Sequence, residues 1–147
     1  MNKNVVSPDQ EMLLLRHLLR MGKVTEGRLD VLLSAVDLSA SRLLALQKLE
    51  QTDESLSLGQ LASCLAFVKS NATQLVDRLE QDQLVKRVPS PEDRRCTQVE
   101  VTDAGKQRLH DGLDIIQPLV DKLHDLYTVE ERAQLLILLE RLENALI

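Results

Sequence analysis

Residues 57–102 decide the fold of this chain, and they read SLGQLASCLAFVKSNATQLVDRLEQDQLVKRVPSPEDRRCTQVEVT. Apolar side chains recur there at helical spacing in two groups, at Leu58, Leu61, Ala62 and Leu65 and then at Ala72, Leu75, Val76 and Leu79. Ser57 and Gln60 stand three apart, which is the spacing of a capping box at the start of a helix. The pattern predicts two short helices, the second over residues 69–81, separated by a tight turn.

A hairpin is predicted directly after the second helix. Residues 84–88 form one strand, and residues 98–102, which alternate polar and apolar side chains with period two, form the other. The tip between them ends in the adjacent pair Arg94 and Arg95. Two packed helices followed by a basic hairpin are the layout of a winged helix-turn-helix, a DNA-binding module. The sequence therefore predicts a mainly α fold with a small β-hairpin wing.

A set of residues in fixed order runs through this stretch: Leu61-Ala62, LVDRLE at 75–80, LVKR at 84–87, Asp93-Arg94-Arg95, Val99, Val101-Thr102 and Gly105. In order and spacing these residues resemble the MarR family of bacterial transcription regulators, and nearly the whole chain is covered. The resemblance implies a homodimer that binds a pseudo-palindromic operator, one half-site per subunit. It also implies release from DNA by a small-molecule effector held between the DNA-binding part and the dimer helices.

Composition and charge set limits on this interpretation. The 147 residues suit one domain, and with 44% hydrophobic but only 1% aromatic residues the core must be aliphatic, which favours packed helices. The formal net charge is −5, whereas residues 69–95 hold six basic and five acidic side chains, a net +1 that leaves −6 for the remainder. Electrostatic affinity for DNA should be modest, so that pairing of two subunits would help to supply the rest.

The N-terminal segment has more apolar surface than a single small domain needs. Ser7 is a predicted N-cap, and residues 12–24 are apolar on more than one face of the helix that follows. A partner subunit is the simplest cover for the second face, and an internal core helix is the alternative. The helical pattern continues over residues 25–36, after a break expected near Gly22.

The C-terminal segment is predicted to form two further amphipathic helices. Thr102 caps the first, whose apolar residues over 109–127 follow a heptad-like spacing. Thr128 and Glu131 have the spacing of a second capping box, which opens a last helix with a leucine-rich stripe over 135–146. Long apolar seams at both ends of a DNA-reading module suggest a dimerisation platform.

We therefore divide the single domain, residues 1–147, by function. The winged helix part covers about 38–102 and opens with a helix that Ser39 or Ser41 caps. The dimerisation helices cover about 7–36 and 103–147, and in the MarR resemblance the terminal helices form such a platform.

Candidate DNA contacts lie at the start of the first helix, on the outer face of the second helix and on the wing. They are Ser57, Lys69, Ser70, Asn71, Thr73, Gln74, Arg78, Arg94 and Arg95. The N-terminal part of a recognition helix faces the major groove, where Gln pairs with adenine and Thr offers a hydroxyl or touches a thymine methyl. Arginines suit phosphates and narrow minor grooves, and the resemblance assigns the groove-inserting role to Arg95. Asp93 is the predicted wing support that holds one arginine in place.

Each of these assignments has a plainer alternative. The polar face of residues 69–81 can be an ordinary solvated surface, and the wing arginines can be solubilising charges. Asp77 and Arg78 can form salt bridges within the protein. A winged-helix protein-interaction module without DNA binding is the alternative function, which the acidic net charge supports. Val68 supports it too, since it stands where a capping Ser or Asp is common.

Other chemistry finds little support in the sequence. We expect no enzyme activity and no cofactor, because no Gly-rich phosphate loop and no nucleophile–base set stands out. His17, His110 and His124 lack metal-ligand spacing. Cys64 and Cys96 are expected to be reduced thiols in a cytoplasmic protein, although a redox role stays open. We expect no secretion signal, and no apolar run of about 18 residues predicts a membrane span.

One backbone detail follows from the turn after the second helix. Gln83 stands where the MarR pattern commonly has Gly, and a positive φ there would cost a non-Gly residue about 1 kcal/mol.

Overall fold

The computed structural model describes residues 8–52, 55–66, 69–93 and 95–146. Within these ranges the protein has six α-helices and a small three-stranded sheet. In chain order they are α1 (Pro8–Leu33), α2 (Ala40–Glu50), β1 (Leu56–Ser57), α3 (Leu58–Cys64), α4 (Lys69–Gln81), β2 (Val85–Pro89), β3 (Thr97–Val101), α5 (Asp103–Leu126) and α6 (Val129–Leu146). The predicted class, mainly α with a small wing, is confirmed.

The helix-turn-helix forms as the sequence predicts. The Ser57 hydroxyl accepts a hydrogen bond from the Gln60 backbone N–H at 3.2 Å, and the Gln60 side chain accepts one from the Ser57 N–H at 2.8 Å. This capping box satisfies N–H groups that the first turn of α3 leaves without helical partners. Helix α4 occupies the predicted residues and buries Ala72, Val76 and Leu79 completely. Its opposite face is thereby turned to solvent.

The wing contains one strand more than predicted. The sheet is antiparallel with the order β1-β3-β2, and Leu56 of β1 pairs with Val99. Strand β1 has only two residues, too few to show an alternation in the sequence. The two predicted strands are present, each shifted by one residue, with Val85 paired to Val101 and Pro89 to Thr97.

The terminal helices are longer and more continuous than the sequence pattern indicated. Helix α1 runs unbroken through Gly22, so the predicted break there is wrong. A glycine in an exposed helix costs only about 1 kcal/mol relative to Ala, which a helix of 26 residues tolerates. Thr102 caps α5, and the capping box of Thr128 and Glu131 is present at α6. The predicted N-cap Ser7 lies outside the described residues.

The core is aliphatic and gathers around α2, which contacts α1, α3, α4, α5 and β3. Of the two candidate caps, Ser39 begins this helix, its hydroxyl accepting the Arg42 N–H at 3.3 Å. The largest fully buried side chains are Leu33, Leu46, Leu61, Leu79, Leu84, Leu109, Val76, Val85 and Val99. Helix α6 contributes no buried residue, and the alternative of an internal core helix fails for α1, whose only buried residue in the described part is Leu33.

The turn between α4 and β2 carries backbone strain at Gln83. Its φ is 60°, so the positive φ considered for this position is present. We predict that Gln83→Gly raises the free energy of unfolding by up to about 1 kcal/mol, because glycine adopts this φ without a Cβ penalty. The hydrogen bond from the Thr102 hydroxyl to the Gln83 carbonyl oxygen, 2.7 Å, is kept in the variant. Urea unfolding measures the change.

Gln81→Gly is the matched control for this substitution. Gln81 is the last residue of α4 and is also exposed, but its φ is not positive. Glycine should therefore lower the free energy of unfolding there. Equal effects of the two substitutions would contradict the strain at Gln83.

Candidate nucleic-acid interface

The outer face of α4 is an open polar surface. Ser70, Asn71, Gln74 and Arg78 are exposed, and Thr73 is half-buried. These side chains lie opposite the buried stripe of the helix, at the spacing that brings residues three and four apart together. The arrangement leaves hydroxyl, amide and guanidinium groups free of the core. Of Lys69 the structure describes the backbone only, so its predicted contact is not placed.

The wing tip is an ordered turn built around Asp93. Its carboxylate accepts the backbone N–H of Arg95 at 2.9 Å, and its other oxygen lies 3.8 Å from the Cys96 thiol. The Cys96 N–H donates to the Asp93 carbonyl at 2.9 Å. Asp93 thus shapes the backbone of the tip, and the described contacts do not include the arginine side chain it was expected to hold. The Arg95 side chain is exposed, and Arg94 lies outside the described residues.

A pair of acids on α4 binds an arginine of the wing. The Arg87 guanidinium on β2 contacts Asp77 at 2.5 Å and also binds Glu80, whose carboxylate accepts the Arg87 backbone N–H at 3.2 Å. The hydrogen bond with Asp77 and the two negative charges raise the pKa of Arg87 against the effect of burial. Of the two salt bridges considered for α4, the one at Asp77 is therefore present. Arg78 forms no ion pair within the described ranges.

Sequence reasoning missed this arrangement, although one signal pointed to it. Asp77 and Glu80 are three residues apart and so share a helix face, just before a basic strand. That signal does not say which cation, Lys86 or Arg87, turns towards the helix. In the structure Lys86 pairs instead with Glu100 across the hairpin at 3.2 Å.

A cavity of about 330 Å³ lies between α1, α2 and α4. Side chains of α1, of the start of α2 and of α4 line it: Glu26, Ser39, Ser41, Arg42, Asn71, Gln74, Leu75 and Arg78. The Arg42 guanidinium donates to the Asp37 carbonyl at 2.9 Å and binds the Asp82 carboxylate. Its Nε is buried and has no hydrogen-bond partner in the part of the chain that is described. Arg42 therefore places a guanidinium in the wall of the cavity, where its charge favours a small anion.

Other candidate chemistry does not assemble in the described ranges. No group of three or more His, Cys, Asp or Glu side chains that could hold a metal ion is found there. Cys64 and Cys96 are free and exposed. No described helix combines the length and the hydropathy that a membrane span needs.

Comparison with known proteins matches these features. The model of the MarR family matches residues 38–97. The transcriptional repressor MprA of Escherichia coli K12 is 32% identical over 123 residues, which are 82% of this chain and 68% of that protein. The transcriptional repressor IacR of Pseudomonas putida is 32% identical over 101 residues, which are 69% of this chain but 59% of that protein.

Solved structures agree over nearly the full length. The transcriptional regulator BldR from Sulfolobus solfataricus superposes with a TM-score of 0.83 at 25% identity, covering 99% of this chain and 100% of that one. The repressor CouR, solved with a 23-mer DNA duplex, superposes with a TM-score of 0.81 at 22% identity, covering 97% of this chain and 99% of that one, and is evidence for the fold alone.

Proposed function

Since the chain belongs to the MarR family of transcription regulators, we propose that it is a cytoplasmic homodimer that binds a pseudo-palindromic operator sequence-specifically and is released by a small-molecule effector. The observation that carries the proposal is the exposed polar face of α4, set opposite a fully buried stripe. The similar proteins named as repressors favour DNA binding over a protein-interaction module, and they are regulators, not enzymes.

The proposed contacts divide into reading and positioning. Ser70, Asn71, Thr73 and Gln74, at the start of α4, face base edges in the major groove. Phosphate and minor-groove contacts come from Ser57, Lys69, Arg78, Arg94 and Arg95, and Asp93 supports the wing tip. The Ser57 hydroxyl accepts the Gln60 N–H as a cap, which leaves its own proton free for a phosphate oxygen.

In the proposed dimer the terminal helices, at about 7–36 and 103–147, form the interface between the subunits, while residues 38–102 bind DNA. The apolar side chains that one chain leaves exposed include Met12, Leu14, Leu15, Leu19 and Met21 on α1, Leu123 and Leu126 on α5, and Leu135, Leu136, Ile137, Leu138 and Leu139 on α6. Apolar surface of this extent marks an interface. Burial against a second copy should remove more than about 2,000 Å² in total, the range of obligate dimers.

The proposed effector site is the cavity beside Arg42. Arg42 lines this cavity, and its guanidinium already binds Asp82 just beyond the C-terminal end of α4. A bound carboxylate would compete with Asp82 for Arg42 and so loosen the end of the recognition helix. A ligand that prefers this altered arrangement lowers DNA affinity. Small carboxylates are therefore the first compounds to screen.

The DNA-binding proposal is tested by sequencing the genomic fragments that the purified protein retains and titrating variants on the recovered operator. We predict that Gln74→Ala costs about 1–3 kcal/mol on the operator and leaves binding to a scrambled duplex nearly unchanged, because base contacts specify sequence. Arg95→Ala should weaken binding to both duplexes and lower the salt slope by about one unit, as loss of a phosphate contact does.

Gln81→Ala is the control for Gln74→Ala. Both glutamines are exposed and lie on the same face of α4, two turns apart, so only the position along the groove differs. The control should leave operator affinity within about twofold, an effect below ~0.5 kcal/mol. If Gln74→Ala weakens binding to the operator and to the scrambled duplex equally, Gln74 contacts the DNA backbone and not a base. If Arg95→Ala leaves the affinity for both duplexes unchanged, the wing does not contact DNA.

A further inference from the structure

Arg87 joins the two elements that are proposed to touch DNA. It lies on β2, and its side chain extends to the recognition helix α4, where it binds Asp77 at 2.5 Å and also Glu80. The Arg87 side chain is 26% exposed, against 49% for Asp77. The arginine is thus the inner member of the cluster, and its fork of donors fits two carboxylates at once. Among the described ion pairs, this cluster alone joins α4 to a wing strand.

Asp77 stands where a free carboxylate would oppose DNA binding. It follows Gln74 by three residues and so lies on the outer face of α4. A negative charge there would repel the phosphates that flank the groove. With Arg87 bound to it, the carboxylate is neutralised and its position is fixed.

We infer that Arg87 is a positioning residue for DNA binding, which fixes the wing to the recognition helix and, from the inner side, neutralises the charge of Asp77. The inference rests on the proposed function and goes beyond it, since Arg87 itself touches no base or phosphate in this arrangement. Its effect on DNA passes through the relative placement of the helix and the wing tip, which carries Arg95.

Arg87→Lys tests the positioning role because it keeps the charge and removes the fork. Operator affinity should fall on the order of tenfold, within the coupling range of residues in one ion-pair network. The salt slope should stay unchanged, because no phosphate contact is lost. Arg87→Gln should lower the affinity for both duplexes further, since it leaves the negative charges of Asp77 and Glu80 without a cation. Adding Asp77→Asn to Arg87→Gln should recover part of that loss.

Lys86→Gln is the matched control. It removes the same charge from the neighbouring residue of the same strand, and its partner Glu100 lies across the hairpin. We expect operator affinity within about twofold of the wild type, as for an exposed ion pair. Free energies of unfolding, measured on all variants, show whether the protein stays folded in the titrations.

Three results would overturn the inference. If the Arg87→Lys variant binds the operator with wild-type affinity, the forked geometry of the guanidinium is not required. A salt slope lower by about one unit in Arg87→Gln and unchanged in Lys86→Gln would make Arg87 a direct phosphate contact. If Asp77→Asn restores none of the affinity that Arg87→Gln loses, Arg87 has only a structural role. A wild-type protein that binds no duplex would instead overturn the proposed function, and this inference with it.

Discussion

Gly105→Ala is expected to lower the free energy of unfolding by about 3 kcal/mol or more, the upper range for overpacking a well-packed core. An added Cβ would lie 2.0 Å from the Leu84 carbonyl oxygen and 2.8 Å from the Val101 side chain. The carbonyl cannot move away freely, because it accepts the Thr102 N–H at 3.0 Å. The first turn of α5 is therefore packed directly against the backbone that begins the wing. Urea unfolding of the variant measures the loss.

Gly112→Ala and Gly22→Ala are the controls for this clash. At Gly112 the added Cβ would meet the ends of leucine side chains, at 2.8 Å for Leu43 and 3.0 Å for Leu38, which shift at less cost than a backbone carbonyl. Gly112→Ala should lower the free energy of unfolding by about 1 kcal/mol, the lower end of the range for overpacking. At Gly22 nothing lies within 4 Å, so alanine should stabilise the helix by up to about 1 kcal/mol. A Gly105→Ala protein within about 1 kcal/mol of the wild type would contradict the close approach of α5 to the wing.

Leu138→Lys is expected to dissociate the dimer and abolish operator binding at low micromolar concentration. Leu138 is 46% exposed in one chain, so the monomer should tolerate the change. In a twofold dimer each substitution occurs twice, and each would bury an unpaired charge in the interface. An operator with two half-sites needs both subunits, and therefore the monomer should bind far more weakly. Light scattering measures the mass, and titration on the operator measures the affinity.

Leu44→Lys is the control of equal chemistry. Leu44 is 48% exposed but lies on α2, outside the proposed dimer helices. The variant should remain dimeric and bind the operator. A Leu138→Lys protein with the mass of a dimer would contradict the proposed interface, and a wild-type monomer at the same concentration would remove the dimer altogether.

Local chemistry explains why much of the fold was predictable. Caps and helical periodicity depend on residues a few positions apart, so the capping boxes at Ser57 and Thr128 and the extent of α4 follow from the sequence. The glycine common at position 83 in the family pattern marked a place where φ can be positive, and the structure has φ 60° there. The apolar stripes of α1 and α6 indicated helices that need a partner, and their exposure in one chain agrees with that.

Features that depend on tertiary contacts were not predictable in this way. Strand β1 gains its identity only from pairing with β3, and its two residues carry no pattern. The choice of Arg87 over Lys86 for the acids of α4 depends on which way the strand faces in the sheet. The Gly105 requirement depends on where the Leu84 carbonyl lies, and only the family resemblance marked that glycine in advance.

Titration of the wild-type protein on its recovered operator and on a scrambled duplex, at several salt concentrations, tests sequence-specific DNA binding most directly. We predict one dimer per operator, with affinity at least about 10³-fold tighter than for the scrambled duplex at physiological salt. Both affinities should fall as salt rises, since counterions are released from the phosphates. Equal affinities for the two duplexes, or no binding even at low salt, would contradict sequence-specific DNA binding by this protein.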